Sequence, residues 1–176
     1  ETVAREKLEK IKALGVDTIL YSNDSGIAEQ HAQRLAKEQG KIYISPYNDP
    51  QIIAGQGTLA IELLDQLPRL DVVYVSIGGG GLISGIGSVM KAFSPQTRVV
   101  GVSAKNSAEL AASIRAGKMV QVDHHETLAD GCAGGVDRDT ITFGLGKEVI
   151  DDLIDCSEQQ IVVGLQQIAW SENMLV

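Results

Sequence analysis

The sequence predicts an α/β fold of three layers, in which a mostly parallel sheet carries helices on both of its faces. Short runs of branched apolar residues alternate along the chain with stretches whose apolar residues recur at helical spacing. The run at residues 71–77 is apolar enough for a strand that is buried on both sides, as strands of parallel sheets are. Residues 78–81, a run of glycines, follow that strand directly and precede a helical pattern.

The first part of the chain alternates in the same way. We predict a helix from Ala4 to a cap at Gly15, and a strand over residues 16–22 that ends in the turn sequence NDSG. A helix over 28–36, closed by Gly40, and a strand over 41–45 follow.

The second part continues the alternation. Its predicted elements are a helix over 51–67, a strand over 71–77, a helix over 82–93, a strand over 98–103, helices over 107–116 and 140–149, a strand over 152–156 and a helix opened by the capping box of Ser157 and Gln160. A loop of about twenty residues separates two of these helices, and loops of that length usually have a function. The final NMLV resembles the start of a buried strand, so we expect the chain to be part of a longer protein.

Composition and charge exclude several classes of function. Acidic residues outnumber basic ones by 23 to 15 and the net charge is -8, which disfavours binding to nucleic acid. The apolar runs are too short to cross a membrane and the first residues do not resemble a secretion signal, so we expect a soluble, cytoplasmic protein. The spacing of Cys132 and Cys156 indicates neither a zinc site nor a disulfide framework.

The run of glycines at residues 78–81 indicates a site for a phosphate group. A side-chain-free turn between a strand and a helix exposes successive N–H groups at the positive end of the helix dipole. Ligands of parallel sheets also lie beyond the carboxyl ends of the strands. The alternative is tight packing of the strand against the helix, but packing normally requires only one or two glycines.

Two common phosphate motifs do not fit this run. A dinucleotide fingerprint that starts at Gly79 and Gly81 would need a third glycine where Ser84 stands, and the next strand does not end in an acidic residue. A nucleotide-binding P-loop would need a lysine where Leu82 follows the glycines. The remaining interpretation is a single phosphate monoester held by the backbone alone.

Four blocks of sequence stand out, SPYNDPQIIAGQGTLAIELL, DVVYVSIGGGGLISGI, RVVGVSAKNSAELAASIRAGK and ETLADG. In this order they resemble one known family, the pyridoxal-phosphate enzymes of the serine/threonine dehydratase and serine racemase group. This group is similar to the β subunit of tryptophan synthase and has fold type II. Residues 101–103 (GVS), together with Gly134 and Gly135, look most like dehydratases of hydroxyectoine utilisation.

The resemblance implies a cofactor, a reaction and a set of binding residues. The cofactor is pyridoxal 5'-phosphate, and the reaction eliminates water from a hydroxy amino acid such as threonine or serine and releases ammonia. Residues 1–40 would be the remainder of the smaller domain, residues 41–176 the central part of the larger one, and the full enzyme a homo-oligomer. The phosphate would be held by the N–H groups of Gly78, Gly79, Gly80, Gly81 and Leu82.

The chain departs from the family at the reacting amine. The Schiff-base lysine of the family lies in a motif of the type Ser-Phe-Lys-x-Arg-Gly, which the printed sequence does not contain. We therefore assign no catalytic residue, and expect a fragment that is inactive alone. An amino-acid racemase of the same family, or a non-catalytic module that binds a phosphate or a partner chain, are the alternatives.

Further candidate residues have simple structural explanations. Several family members hold a divalent cation with two acidic residues six positions apart, but here Ser103 stands at the first position and Glu109 at the second, in the first turn of a helix. The pair His124 and His125 is interpreted as part of a solvated loop rather than a metal site.

Asp130 and Gly131 could line the cofactor pocket or only form a turn. The glycines of AGQGT at 54–58 could serve close helix packing. Trp170 and Cys156 are predicted to lie in the core.

Overall fold

The computed structural model describes residues 3, 5–23 and 25–175. The chain divides into two compact units, Glu1–Ile44 and Ser45–Val176. The identification of these units with the smaller and larger domains of the family stays a prediction. Within the described residues, no helix is both long and apolar enough to span a membrane.

The first unit contains two helices and no strand among its described residues. Helix α1 spans Arg5–Ala13 and helix α2 spans Ser25–Glu38, and neither contains a buried residue. The predicted strands over 16–22 and 41–45 are wrong, because these residues have no regular secondary structure. A strand needs a neighbour to receive its hydrogen bonds, and the described residues of this unit supply none. The predicted helix start at Ala4 lies outside the described residues.

The second unit confirms the predicted α/β class with a parallel sheet. Its three strands lie in the order β1-β2-β3, with Gly101 of β2 opposite both Val75 and Leu153. The elements are α3 (Pro50–Gln66), β1 (Val72–Ser76), α4 (Gly81–Phe93), β2 (Arg98–Ala104), α5 (Glu109–Ala116), α6 (Ile141–Val149), β3 (Asp152–Cys156) and α7 (Glu158–Ser171), with short 3-10 helices at Lys105–Ser107 and Asp130–Cys132.

Capping residues set the ends of these helices. Asp49 caps α3, because its Oδ1 accepts the Gln51 N–H at 2.7 Å, and Pro50 takes the first helical position. The predicted capping box of Ser157 and Gln160 is present at the start of α7. These local signals explain why the helices begin close to the predicted positions.

The core of the second unit brings together side chains from α3, α4, β1, β2 and α5. Buried members of this cluster include Ala60, Val75, Ile83, Met90, Val99 and Leu110. Helices α3 and α4 approach each other closely at Gly57 and Gly85, where a Cβ atom added to Gly85 would lie 2.3 Å from the backbone oxygen of Ile53. The prediction that AGQGT serves helix packing is therefore confirmed for Gly57.

Acidic residues at β3 pair with basic residues of neighbouring elements. The pairs are Lys91 with Asp151, Arg98 with Asp152 and Arg115 with Asp155. Burial raises the pKa of Asp151, but hydrogen bonds from Lys91 and the Val99 N–H, with the charges of Lys91 and Arg98, outweigh it. The pKa of this carboxyl therefore lies below its ordinary value of 3.8.

The end of the chain differs from its prediction. The Trp170 side chain is 78% exposed rather than part of the core, because α7 contains no buried residue. Cys156 is half-buried. The predicted strand over 173–176 is absent over 173–175, which have no regular structure, and Val176 lies outside the described residues.

Candidate functional site

The glycine loop, residues 78–81, lies at the carboxyl end of β1 and leads directly into α4. The Ile77 N–H still donates to the Val102 carbonyl across the sheet at 2.8 Å. Gly80 then takes a left-handed conformation with φ +87°, which favours glycine, and the first helical hydrogen bond runs from the Ser84 N–H to the Gly80 carbonyl. The loop thus has the position of a ligand site in a parallel sheet.

The N–H groups of this loop have no hydrogen-bond partner in the described part of the chain. Among the described residues, no hydrogen bond is made by the N–H groups of Gly78, Gly79, Gly80, Gly81 or Leu82. Gly80 and Gly81 are buried. Buried N–H groups in proteins are nearly always paired, so a ligand that accepts hydrogen bonds fits this loop. The positive end of the α4 dipole favours a ligand with negative charge.

The loop is enclosed by other parts of the second unit. A Cβ atom added to Gly79 would lie 2.3 Å from Cγ of Tyr47, and one at Gly78 would lie 2.9 Å from the Cys132 backbone oxygen. At Gly80 the same atom would lie 2.3 Å from a methyl group of Leu110. Close packing therefore excludes side chains from these positions. Packing, the alternative to phosphate binding as an explanation of the glycines, thus contributes to the need for glycine here.

Tyr47 is a wall of the site that the sequence did not predict. Its ring is buried against the glycine loop, and its Oη accepts the Asp137 N–H at 2.9 Å. The neighbouring Asn48 donates to the Asp137 carboxylate at 3.1 Å and accepts the Ile141 N–H at 3.0 Å. The signal available in the sequence was an aromatic residue inside an otherwise polar loop that follows an apolar run.

Thr142 is a second site residue that the sequence did not predict. It is fully buried at the start of α6, and its hydroxyl donates to the Gly79 carbonyl at 2.8 Å. This hydrogen bond ties the glycine loop to an element that follows it by 63 residues. No spacing or composition in the sequence indicates such a contact.

The long loop over residues 118–139 is attached to the start of α5 by a chain of partly buried polar contacts. Ser107 Oγ lies 2.8 Å from His124 Nδ1 and accepts the Gly134 N–H, and His124 Nε2 lies 3.0 Å from Glu109 Oε2. His124 is exposed, as expected for a residue of a solvated loop, but its ring also makes these two contacts, which the sequence did not predict. The loop also carries the predicted pair Asp130 and Gly131, both exposed, in the turn that brings the Cys132 backbone against Gly78.

Both carboxylate oxygens of Glu109 are engaged by protein groups. Oε1 accepts the Val136 N–H at 3.0 Å, and Oε2 faces His124. Ser103 is buried, and its hydroxyl has no partner among the described residues. The described part of the chain contains no cluster of His, Cys, Asp or Glu suited to a metal ion. As predicted, Glu109 lies in the first turn of a helix.

The fold and the glycine loop together define a parallel α/β protein whose backbone is arranged to bind an anion. All of residues 1–176 match the family described as pyridoxal-phosphate dependent enzyme. The chain belongs to this family, whose cofactor is pyridoxal phosphate. The unpaired N–H groups of the loop fit the phosphate of that cofactor, because a phosphate monoester is an anion that accepts several hydrogen bonds.

Relatives of the chain are threonine dehydratases and serine racemases. An L-threonine ammonia-lyase of Thermotoga maritima is 39% identical over 155 residues, which cover 88% of this chain and 38% of that protein. The structure of threonine deaminase isoform 2 of Solanum lycopersicum matches 99% of this chain and 48% of its own, with 31% identity and a TM-score of 0.89. Maize serine racemase matches 96% of this chain and 52% of its own, with 31% identity and a TM-score of 0.86. The chain thus spans about half the length of these relatives or less, and its fold is that of fold type II enzymes.

Proposed function

We propose that this chain is the phosphate-holding part of a pyridoxal-phosphate-dependent dehydratase, an ammonia-lyase that eliminates water from a hydroxy amino acid such as threonine or serine. The cofactor phosphate is bound by the N–H groups of residues 78–82. The proposal is carried by the N–H groups at the carboxyl end of β1, which have no partner among the residues that the structure describes. The similarity to threonine dehydratases supports the class of reaction.

The residues of this chain bind and orient the cofactor in this proposal. Bound pyridoxal phosphate supplies an electron sink for a carbanion at the α-carbon of the substrate. The glycine loop and the positive end of α4 bind its phosphate, while Tyr47 and the Cys132 backbone limit the space around the loop. None of the described contacts places a lysine beside the loop, so we propose that the chain alone does not catalyse the reaction.

A binding experiment tests the phosphate site directly. Equilibrium dialysis of the chain with pyridoxal phosphate is expected to show saturable binding that inorganic phosphate competes away. Pyridoxal is the matched control, because it has the same ring without the phosphate, and we expect it to bind about tenfold more weakly or worse. Equal binding of the two compounds, or a borohydride-trapped adduct on one lysine that accounts for all binding, would contradict the proposal.

Two alternatives have specific support. A racemase is favoured by the match to maize serine racemase, which covers 96% of the chain against 99% for the threonine deaminase match. A non-catalytic phosphate-binding module is favoured by the loop itself, which needs no lysine to bind an anion. Assays of the full-length enzyme with L-serine, which follow D-serine formation beside ammonia release, distinguish a racemase from a dehydratase.

Three finer assignments belong to the same proposal. The GVS sequence at residues 101–103 supports a dehydratase of hydroxyectoine utilisation. Its last residue, Ser103, is buried in the structure. The full enzyme is proposed to be a cytoplasmic homo-oligomer. Growth on hydroxyectoine of a strain that lacks the gene tests the assignment to hydroxyectoine utilisation. The mass of the full-length enzyme in solution tests whether it is a homo-oligomer.

A further inference from the structure

A chain of two hydroxyl groups leads from the start of α6 to the glycine loop. Thr142 Oγ1 donates its only hydrogen to the Gly79 carbonyl at 2.8 Å. Thr140 Oγ1 lies 2.8 Å from Thr142 Oγ1 and accepts the Thr142 N–H at 3.3 Å. Because the Thr142 hydrogen is already used, the hydrogen between the two hydroxyls comes from Thr140. Hydrogen bonds that run in one direction in this way polarise and strengthen one another.

The hydrogen-bonded hydroxyls of Thr140 and Thr142 fix the orientation of one peptide group in the glycine loop. The Gly79 carbonyl and the Gly80 N–H belong to the same planar trans peptide, so they point in opposite directions. With the carbonyl held towards Thr142, the Gly80 N–H points away from α6. Glycine on both sides of this peptide permits the opposite orientation as well, so the sequence of the loop alone does not select one.

We propose that Thr142 is a positioning residue for the phosphate site, whose hydroxyl holds the Gly79–Gly80 peptide with its N–H available to the bound phosphate. This inference rests on the proposed function, because it assigns a role at the same site. Thr142 itself does not contact the ligand. It acts through the Gly79 carbonyl, and Thr140 orients the Thr142 hydroxyl.

Matched variants separate the hydroxyl from the shape of the side chain. Thr142→Val keeps the branched shape that packs beside Gly80 but removes the donor, whereas Thr142→Ser keeps the donor and removes a methyl group. In equilibrium dialysis we expect Thr142→Val to bind pyridoxal phosphate about tenfold more weakly, the effect of one lost hydrogen bond in a charged site. Thr142→Ser should restore binding to within about threefold of wild type, and pyridoxal binding should be the same in all variants.

The NMR resonance of the Gly80 amide provides a measurement that does not depend on the overall stability of the protein. In 15N-labelled wild-type chain, inorganic phosphate should shift the Gly80 N–H, and in Thr142→Val this shift should be lost. This second measurement keeps the inference testable if Thr142→Val does not fold, because phosphate that shifts Gly78 and Leu82 but leaves Gly80 of the wild-type chain unchanged overturns it.

The outcomes distinguish this inference from the proposed function. Wild-type chain that binds pyridoxal phosphate no better than pyridoxal overturns both. Wild-type chain that prefers pyridoxal phosphate, together with a folded Thr142→Val that binds it equally well, overturns only the role of Thr142. An equal loss of pyridoxal and pyridoxal phosphate binding in Thr142→Val also overturns it, because a positioning role is specific to the phosphate.

Discussion

The glycines around the start of α4 differ from those of the long loop over residues 118–139. A Cβ atom added to Gly79 or Gly85 would lie 2.3 Å from another part of the protein, whereas one added to Gly131 or Gly135 would meet nothing within 4 Å. Both regions are rich in glycine and look alike in the sequence. The difference shows that close packing requires glycine at Gly79 and Gly85, whereas Gly131 and Gly135 of the long loop have room for a side chain.

The largest effect is expected at the crossing of α3 and α4. Gly85→Ala would place a methyl group 2.3 Å from the Ile53 carbonyl and 2.7 Å from the Gly57 nitrogen, and backbone atoms cannot yield as a side-chain end can. We expect the free energy of unfolding in urea to fall by about 3 kcal/mol or more. Gly55→Ala is the matched control on α3, because its methyl group meets nothing, and it should raise stability by about 0.5–1 kcal/mol. A Gly85→Ala chain as stable as wild type would show that the two helices separate easily.

The next effect tests the glycine loop itself. Gly79→Ala would push against the Tyr47 ring and disturb the hydrogen bond between Tyr47 Oη and the Asp137 N–H. We expect a loss of about 1–3 kcal/mol in urea unfolding, together with weaker binding of pyridoxal phosphate. Gly135→Ala is the control from the long loop, and it should change neither quantity. If both substitutions had the same effect, the contrast between the two regions would be incorrect.

A smaller effect is expected where the long loop is attached to α5. His124→Ala leaves one oxygen of the buried Glu109 without a partner, which should lower the free energy of unfolding by about 1–2 kcal/mol. Limited proteolysis should then cut residues 118–139 faster. His125→Ala is the control, since the hydrogen bond from the His125 N–H to the Asn106 carbonyl uses the backbone and survives the substitution. Equal proteolysis rates in the two variants would mean that His124 does not hold the loop.

The smallest effect concerns the far end of α4 and depends on pH. The folded-state pKa of Asp151 is lowered, so the stability from its ionised form is present above the unfolded pKa and is lost as pH falls through the folded pKa. Wild type should therefore lose more stability than Asp151→Asn between about pH 5 and about pH 3. Urea unfolding at several pH values measures this difference. Parallel curves for the two chains would rule out a contribution from Asp151.

The sequence predicted those elements that carry their own signals. Helices α3 to α7 and the three strands of the second unit were predicted, because caps and apolar spacing lie within each element. The strands over 16–22 and 41–45 could not be judged in this way, since a strand depends on a neighbour elsewhere in the chain. Trp170 was placed in the core by its residue type, which is highly buried on average, although it stands in α7, which contains no buried residue.

The candidate site was predicted only in part for a similar reason. The glycine loop stands out as a run of residues, so its position was clear from the sequence alone. Tyr47 and Thr142 contact their partners across 90 and 63 residues, and His124 meets Glu109 across 15. Such contacts depend on how the elements pack, which no local pattern encodes.

The separation of Tyr47 and Thr142 along the chain has a consequence for biosynthesis. The surroundings of the glycine loop come from residues that span most of the second unit, and contacts between distant residues form late because closing long loops is entropically unfavourable. A ribosome that has delivered β1 and α4 has made the loop but not Thr142, whose hydroxyl donates a hydrogen bond to it. The nascent polypeptide therefore completes the proposed phosphate site only after α6 has emerged from the exit tunnel.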